Sequence, residues 1–339
     1  MQKETSRLLK IFVLPVAAVY TIWTIYMIVT DNWQLFLHYF YMSITMVFGS
    51  FVAGGSAEGG GAVAFPVMTL IFKIHPADAR NFGLAIQSIG MTAATLWIIA
   101  RKVKTELTYL KLAIPGATVG IIIGSFFIAP YTPAPYAKML FVSFWLSFGL
   151  ALWAVNYYRS RKVREHLPAL SKPQKAELVG IGLIGGILSA VLGSGVDICT
   201  FAFVTMKYNL SEKVATPTSV ILMAFNALAG FLLHRFVMND INPEVYNYWL
   251  VCIPVVMLGA PFGALVVSKA KRLHIVNFLI FIICVQFIGA MLIIKPQGEL
   301  LLFSVASFVA GVVIFFLLTR KSKLKKDIAE PEQVDLTAW

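Results

Sequence analysis

The stretches Gly54-Gly55-Ser56-Ala57-Glu58-Gly59-Gly60-Gly61 and Gly193-Ser194-Gly195-Val196-Asp197 interrupt two long apolar segments of the chain. The two breaks lie at corresponding places in the two halves of the sequence. Glycine breaks paired in this way are the best indication that a sequence gives of the binding site of a secondary transporter.

The composition excludes a soluble globular protein. Of the 339 residues, 59% are hydrophobic and 13% are charged, and the mean hydropathy is +0.80. Apolar runs of about 20 residues, enough to cross a hydrocarbon core about 30 Å thick, follow one another from residue 9 onward. The first run, 9–29, is too long for a signal peptide and has no cleavage pattern, so we expect an uncleaved span. The sequence predicts an all-α polytopic protein of the lipid bilayer.

The net charge of +12 comes from Lys and Arg residues in loops and tails, where it sets orientation in the membrane, so we expect no nucleic-acid partner. Cys199, Cys252 and Cys284 lie singly in apolar stretches and specify neither a metal site nor a disulfide. The chain has no Walker A sequence. We therefore expect no cofactor and no metal ion.

Charge also predicts the topology. Basic residues cluster at 3–10, 101–104, 159–175, 269–272 and 320–326, and the positive-inside rule places these segments, with both termini, in the cytoplasm. The predicted single spans are 9–29, 77–100, 110–129, 136–157, 212–233, 246–267, 275–294 and 301–318. Segments 35–73 and 178–207 must each start and end on one side, as hairpins that enter the bilayer from opposite faces.

The two halves look duplicated. The pattern Ile114-Pro115-x4-Gly120-x3-Gly124 recurs as Ile253-Pro254-x4-Gly259-x3-Gly263. We predict two inverted repeats, each a glycine-broken helical hairpin plus three transmembrane helices, with one extra helix at each end. The expected units are 1–34 (tail and first span), 35–157 (repeat 1), 158–177 (basic cytoplasmic linker), 178–294 (repeat 2), 295–319 (last span) and 320–339 (cytoplasmic tail). Inverted repeats support alternating access.

The hairpin tips are the candidate anion sites. Where a helix breaks, the backbone N–H groups of the next arm lose their partners, and a helix N-terminus carries about half a positive charge. The helix after each hairpin adds polar side chains within about two turns of the tips. The residues expected to bind substrate are Gly59, Gly60, Gly61, Gln87, Ser88, Ser194, Gly195, Val196, Thr216 and Ser219. We interpret His75 and His234, near outward-facing helix ends, as interfacial.

Glu58 and Asp197 place a carboxylate at each tip. An ionised carboxylate at membrane depth costs about 2.5–3.5 kcal/mol on insertion scales. One interpretation is proton coupling, since a carboxylate beside an anion repels it unless protonated. The other is that each residue caps its short arm. The sequence leaves both open.

These motifs resemble the TauE/SafE sulfite exporter family. The resemblance rests on Gly59-Gly60-Gly61 followed by Phe65-Pro66, on Leu192-Gly-Ser-Gly-Val-Asp197, and on the run Ser-Glu-Lys-Val-Ala-Thr-Pro-Thr-Ser at 211–219, and it covers about residues 39–294. It implies an inner-membrane carrier for small sulfur-containing anions, such as sulfite or organosulfonates, usually in the direction of export.

Other functions stay open at this point. The carrier could work as an uptake system, and inverted repeats also build passive anion channels. An intramembrane hydrolase would need a nucleophile at Ser56 or Ser194, but neither serine lies in a Gly-x-Ser-Gly motif, so we expect no enzyme. The sequence leaves homo-oligomerisation open.

Overall fold

The computed structural model describes residues 2–158 and 163–324, and the regular elements in these ranges are helices. They are α1 (Gln2–Leu8), α2 (Leu14–Val29), α3 (Leu35–Gly55), α4 (Gly61–Pro66), α5 (Pro76–Ala100), α6 (Leu107–Ile123), α7 (Ala134–Tyr157), α8 (Lys172–Leu192), α9 (Val196–Tyr208), α10 (Glu212–Leu232), α11 (Pro243–Lys269), α12 (Arg272–Ile294) and α13 (Gly298–Leu324). Ten helical stretches in the described ranges are long and apolar enough to cross a membrane. The prediction of an all-α polytopic membrane fold is confirmed.

Short irregular helices extend or join several of these elements. π-helical turns cover Leu9–Val13, Val67–Ile71, Gly124–Ile128 and Leu233–Met238, and 3-10 turns cover Asn32–Gln34 and Ala129–Tyr131. π-turns occur often at functional sites because the wider turn redirects side chains. Here two of them carry Ser125 and His234, whose side chains meet.

Both predicted hairpins are present. The first consists of α3 and of α4 with its π-helical extension, and a first tip of residues 56–60 joins them. The second consists of α8 and α9, joined by a second tip of residues 193–195. The helix ends at Leu192 because Gly193 adopts φ 78°, a left-handed conformation that glycine takes without strain.

The linker is shorter than expected. Helix α8 begins at Lys172, inside the segment 158–177, because Ser171 and Gln174 form a capping box at its N-terminus. Residues 159–162 of the linker and 325–339 of the tail lie outside the described residues.

Each half of the chain packs its first hairpin arm against the proline- and glycine-containing helix of the other half. Helix α8 lies on α6, where a Cβ atom at Gly116 or Gly120 would overlap the carbonyl groups of Val179 and Leu183. Helix α3 lies on α11 in the same manner, and a Cβ atom at Gly54 would overlap the backbone of Ala260. Small residues let helix backbones approach closely in membranes.

The recurring motifs at 114–124 and 253–263 thus make equivalent contacts. Two related repeats would make such equivalent contacts, but the repeats and their inversion across the bilayer stay a prediction. At the periphery, α2 and α13 expose most of their apolar side chains and α12 has few fully buried ones, as expected of lipid-facing helices.

Candidate functional site

The two hairpin tips meet at the side chain of Gln87, which α5 places between them. Gln87 Nε2 donates hydrogen bonds to the carbonyl oxygens of Gly193 (2.7 Å) and Gly83 (2.8 Å), and its Oε1 accepts from the Gly60 N–H (3.1 Å). The side chain is 2% exposed. One amide therefore links the first tip, the second tip and α5.

Gly59 in the first tip and Gly61 at the start of α4 lie very close to the second tip, Gln87 and Asp197. Gly59 has φ +70°, and a Cβ atom on it would lie 2.6 Å from Asp197 Oδ2 and 2.8 Å from Gln87 Oε1. A Cβ atom on Gly61 would lie 3.0 Å from the Gly193 carbonyl oxygen and 3.0 Å from Ser194 Cβ. A side chain at Gly59 would therefore displace Asp197 and Gln87 and would strain the backbone, and one at Gly61 would press on the second tip.

Glu58 lies in the first tip and is fully buried, with 1% of its surface exposed. Its Oε2 accepts a hydrogen bond from Gln286 Nε2 of α12 (2.9 Å). Its Oε1 has no hydrogen-bond partner among the described residues, and neither has Gln286 Oε1. Buried polar atoms are rarely left unpartnered, so the oxygens can receive a proton, a water molecule or a ligand.

Asp197 lies in the first turn of α9 and is 0% exposed. Its Oδ1 accepts from the Gly195 N–H (3.2 Å), which is the capping role that the sequence left open. Its Oδ2 has no partner in the described part of the chain and faces Gly59. The structure thus brings Glu58 and Asp197 close enough to interact electrostatically.

Several backbone donors expected to face a substrate already have protein partners. Gln87 Oε1 accepts a hydrogen bond from the Gly60 N–H, and Asp197 Oδ1 accepts one from the Gly195 N–H. Ser189 Oγ accepts from the N–H of Val196 (3.0 Å). These three groups become available to an anion only if the side chains that bind them move.

The remaining candidates, Ser88, Thr216 and Ser219, have no hydrogen bond to either tip among the described residues. Ser88 and Ser219 donate to carbonyl oxygens of their own helices, at Ala85 (2.7 Å) and Thr216 (2.8 Å). Thr216 itself has a buried hydroxyl with no partner in the described part of the chain, and it lines a cavity of about 10 Å³ together with Gly54. The sequence could not locate these residues because spacing along a helix does not fix which neighbour a side chain faces.

Two polar residues near the first tip were missed by the sequence analysis. Lys138, in the first turns of α7, is 3% exposed and interacts electrostatically with Glu58. Gln286, in the middle of α12, binds Glu58 directly. The available signal was a single lysine and a single glutamine inside otherwise apolar spans, a pattern that marks function in membrane proteins.

A cavity of about 440 Å³ opens at the end of the bundle that the charge pattern assigns to the outside. Its lining includes Phe65, which follows the first tip, Val191, which precedes the second, and Ala137, which precedes Lys138. The cavity therefore leads from this end of the bundle toward the tips. The cavity beside Gly54 at the opposite end holds only about 10 Å³.

Charged and polar side chains join the two halves of the chain beside the larger cavity. Asp240 accepts from His234 Nδ1 (2.8 Å) and lies 3.4 Å from Arg80 Nη2, and Asn81 Nδ2 donates to the Asp240 carbonyl oxygen (3.2 Å). Ser125 Oγ lies 3.1 Å from His234 Nε2. Burial raises the pKa of Asp240, but His234 and Arg80 lower it by more, so the pKa lies below its usual value.

The interpretation of His234 as interfacial is wrong. The side chain is 0% exposed, because the π-turn at the end of α10 directs it between Ser125 and Asp240. His75, by contrast, is exposed and caps α5 by accepting from the Ala77 N–H. In the described residues, no group of three or more His, Cys, Asp or Glu side chains could hold a metal ion.

Comparison with known proteins identifies the family. The family described as "Sulfite exporter TauE/SafE" matches residues 41–286, which include most of the first hairpin, the whole second hairpin and both glycine-rich tips. Neither a curated protein nor a solved structure matches the chain. Because the match covers most of the sequence, the chain is a multi-pass membrane protein that belongs to the TauE/SafE sulfite exporter family of anion transporters.

Proposed function

We propose that this protein is a secondary carrier that exports sulfite or a small organosulfonate across the inner membrane by alternating access, with both termini in the cytoplasm. The anion binds where the two hairpin tips meet. The observation that carries the proposal is the contact of the tips through Gln87, surrounded by buried carboxylate oxygens that have no partner among the described residues.

The chemistry of the tips fits a small oxyanion. Gly59 and Gly61 present backbone without side chains, so several oxygens of a compact anion can approach closely. Ser194 adds a hydroxyl opposite Gly61. The start of α9 adds the positive end of a helix dipole, where Asp197 now supplies the negative charge.

The unequal cavities support a carrier in preference to a channel. An alternating-access carrier is open to one side at a time, and here a cavity of about 440 Å³ faces one end, whereas the cavity beside Gly54 toward the other end holds about 10 Å³. Contacts between the halves exist at both ends. Thr218 Oγ1 accepts from the Glu106 N–H (2.9 Å) at one end, and Asn81 and Arg80 bind Asp240 at the other.

Flux measurements in proteoliposomes test the proposal. We expect saturable movement of sulfite and methanesulfonate, and we expect Gly59→Ala to reduce it strongly because the new Cβ atom displaces Asp197 and Gln87. Gly180→Ala is the matched control, since nothing lies within 4 Å of a Cβ atom there. Linear, non-saturating conductance would favour a channel. Normal flux in Gly59→Ala would show that the anion does not bind at the tips.

Proton coupling through Glu58 is the second part of the proposal. Methanesulfonate keeps its charge over the accessible pH range, so a pH dependence of its transport reports on the protein. We expect transport by the native chain to depend on pH and transport by Glu58→Gln to lose that dependence. Glu106→Gln is the control because Glu106 is also a buried carboxylate but caps α6, away from the tips. An unchanged pH profile in Glu58→Gln would exclude Glu58 as the coupling group.

A further inference from the structure

We propose that Lys138 is the positive charge that binds the transported anion, and that Glu58 is its counter-ion when the site is empty. The anion replaces Glu58 beside the ammonium group, and the displaced carboxylate takes up a proton from solvent. The inference rests on the proposed function, because it deepens the description of the same site.

Lys138 is placed in an unusual way for a lysine near the end of a membrane helix. Such lysines normally extend their ammonium group to the polar interface. Lys138 is instead 3% exposed, and its Nζ lies 5.4 Å from the centre of the Phe141 ring on the same helix. The ammonium group is therefore held inside the protein, and an ionisable residue in that position is a candidate for function.

Among the described residues, no carboxylate lies in direct contact with the ammonium group. The described ion pairs do not include Lys138, although the charge of Glu58 acts on it. Gln286 holds one oxygen of Glu58, while the other oxygen has no partner among the described residues. The charge of Glu58 thus acts on Lys138 although the two form no ion pair among the described residues.

The charges around the site make anion binding and proton uptake inseparable. The groups that act on Glu58 are Lys138 from α7, Asp197 from α9 and the neutral Gln286 from α12. Two carboxylates and one ammonium give a net charge of −1 if all are ionised. A bound sulfonate would make the net charge of this buried site −2, whereas one proton on Glu58 restores a net charge of −1.

The anion also has a route to Lys138. The preceding residue, Ala137, lines the cavity of about 440 Å³, as does Phe65 on the first hairpin. The turn of α7 that carries Lys138 therefore borders this cavity, which brings an anion from this side into the neighbourhood of the ammonium group.

Equilibrium binding of methanesulfonate to the purified full chain in nanodiscs tests the inference. We expect Lys138→Met to weaken binding by about tenfold or more at every pH, and Lys138→Arg to retain most of it. Lys207→Met is the matched control, because Lys207 also contacts aromatic rings but is paired with Glu177. We expect Glu58→Gln to bind at high pH as tightly as the native chain binds at low pH.

The double variant Lys138→Met with Glu58→Gln covers the case in which the single methionine variant fails to fold. It removes both charges together, which preserves folding better than removal of one. We expect it to fold and not to bind. Tight binding by Lys138→Met or by the double variant would overturn the inference. Absence of binding and transport in the native chain would overturn the proposed function itself.

Discussion

Replacing Gln87 by alanine tests whether one amide holds the two hairpin tips together. The substitution removes three hydrogen bonds at a site that is 2% exposed, and it leaves the Gly60 N–H and one acceptor bond of the Gly193 carbonyl without a partner. Each bond contributes about 0.5–1.5 kcal/mol net, so the expected loss of stability is about 1.5–4.5 kcal/mol.

Asn226 provides the matched control. It is also a buried amide, 1% exposed, in the corresponding helix α10 of the second half. Its Nδ2 and Oδ1 have no hydrogen-bond partner in the described residues. Because the amide makes no bond that alanine would remove, we expect Asn226→Ala to leave stability unchanged or to increase it.

The assay is the apparent Tm of the purified proteins in detergent, followed by intrinsic fluorescence, together with binding of methanesulfonate. We expect Gln87→Ala to lower Tm by several degrees and to weaken binding, since the tips separate. An unchanged Tm in Gln87→Ala, or a larger loss in Asn226→Ala, would refute the view that Gln87 joins the tips.

Two further predictions concern packing and the outer network. Gly120→Leu should abolish accumulation of folded protein because its side chain overlaps the Leu183 carbonyl group, while Gly180→Ala should fold normally; recovery by size-exclusion chromatography measures both. The depressed pKa of Asp240 means that its contribution to stability is complete above the ordinary aspartate pKa and is lost as pH falls through the lower folded value. Asp240→Asn should therefore lower Tm at neutral pH and reduce the loss of Tm on acidification, and parallel pH profiles of the two proteins would contradict this.

Much of the architecture could be predicted because membrane insertion imposes strong and simple rules. Hydropathy marks the spans, and the glycine breaks mark the two hairpins. The motif that begins at Ile114 and recurs at Ile253 indicates the equivalent contacts that α6 and α11 make with the opposite hairpins. These features follow from local composition and spacing, so one sequence suffices to read them.

The detailed site could be predicted only in part. Glu58, Gly59 and Asp197 could be identified from the sequence because they lie in the breaks themselves. Lys138 and Gln286 reach the first tip from helices that are distant in sequence, and only the packing of α7 and α12 brings them there. His234 was assigned to an interface because the π-turn that redirects it inward has no sequence signature.

The most direct test of a single anion site between the tips uses 2-bromoethanesulfonate, an organosulfonate whose bromine gives an anomalous diffraction signal. Crystals of the native chain soaked with this compound should show one bromine peak between Gly59, Ser194 and Lys138, and crystals of Gly59→Ala should lack it. A peak elsewhere in the protein, with the tips unchanged, would contradict the account.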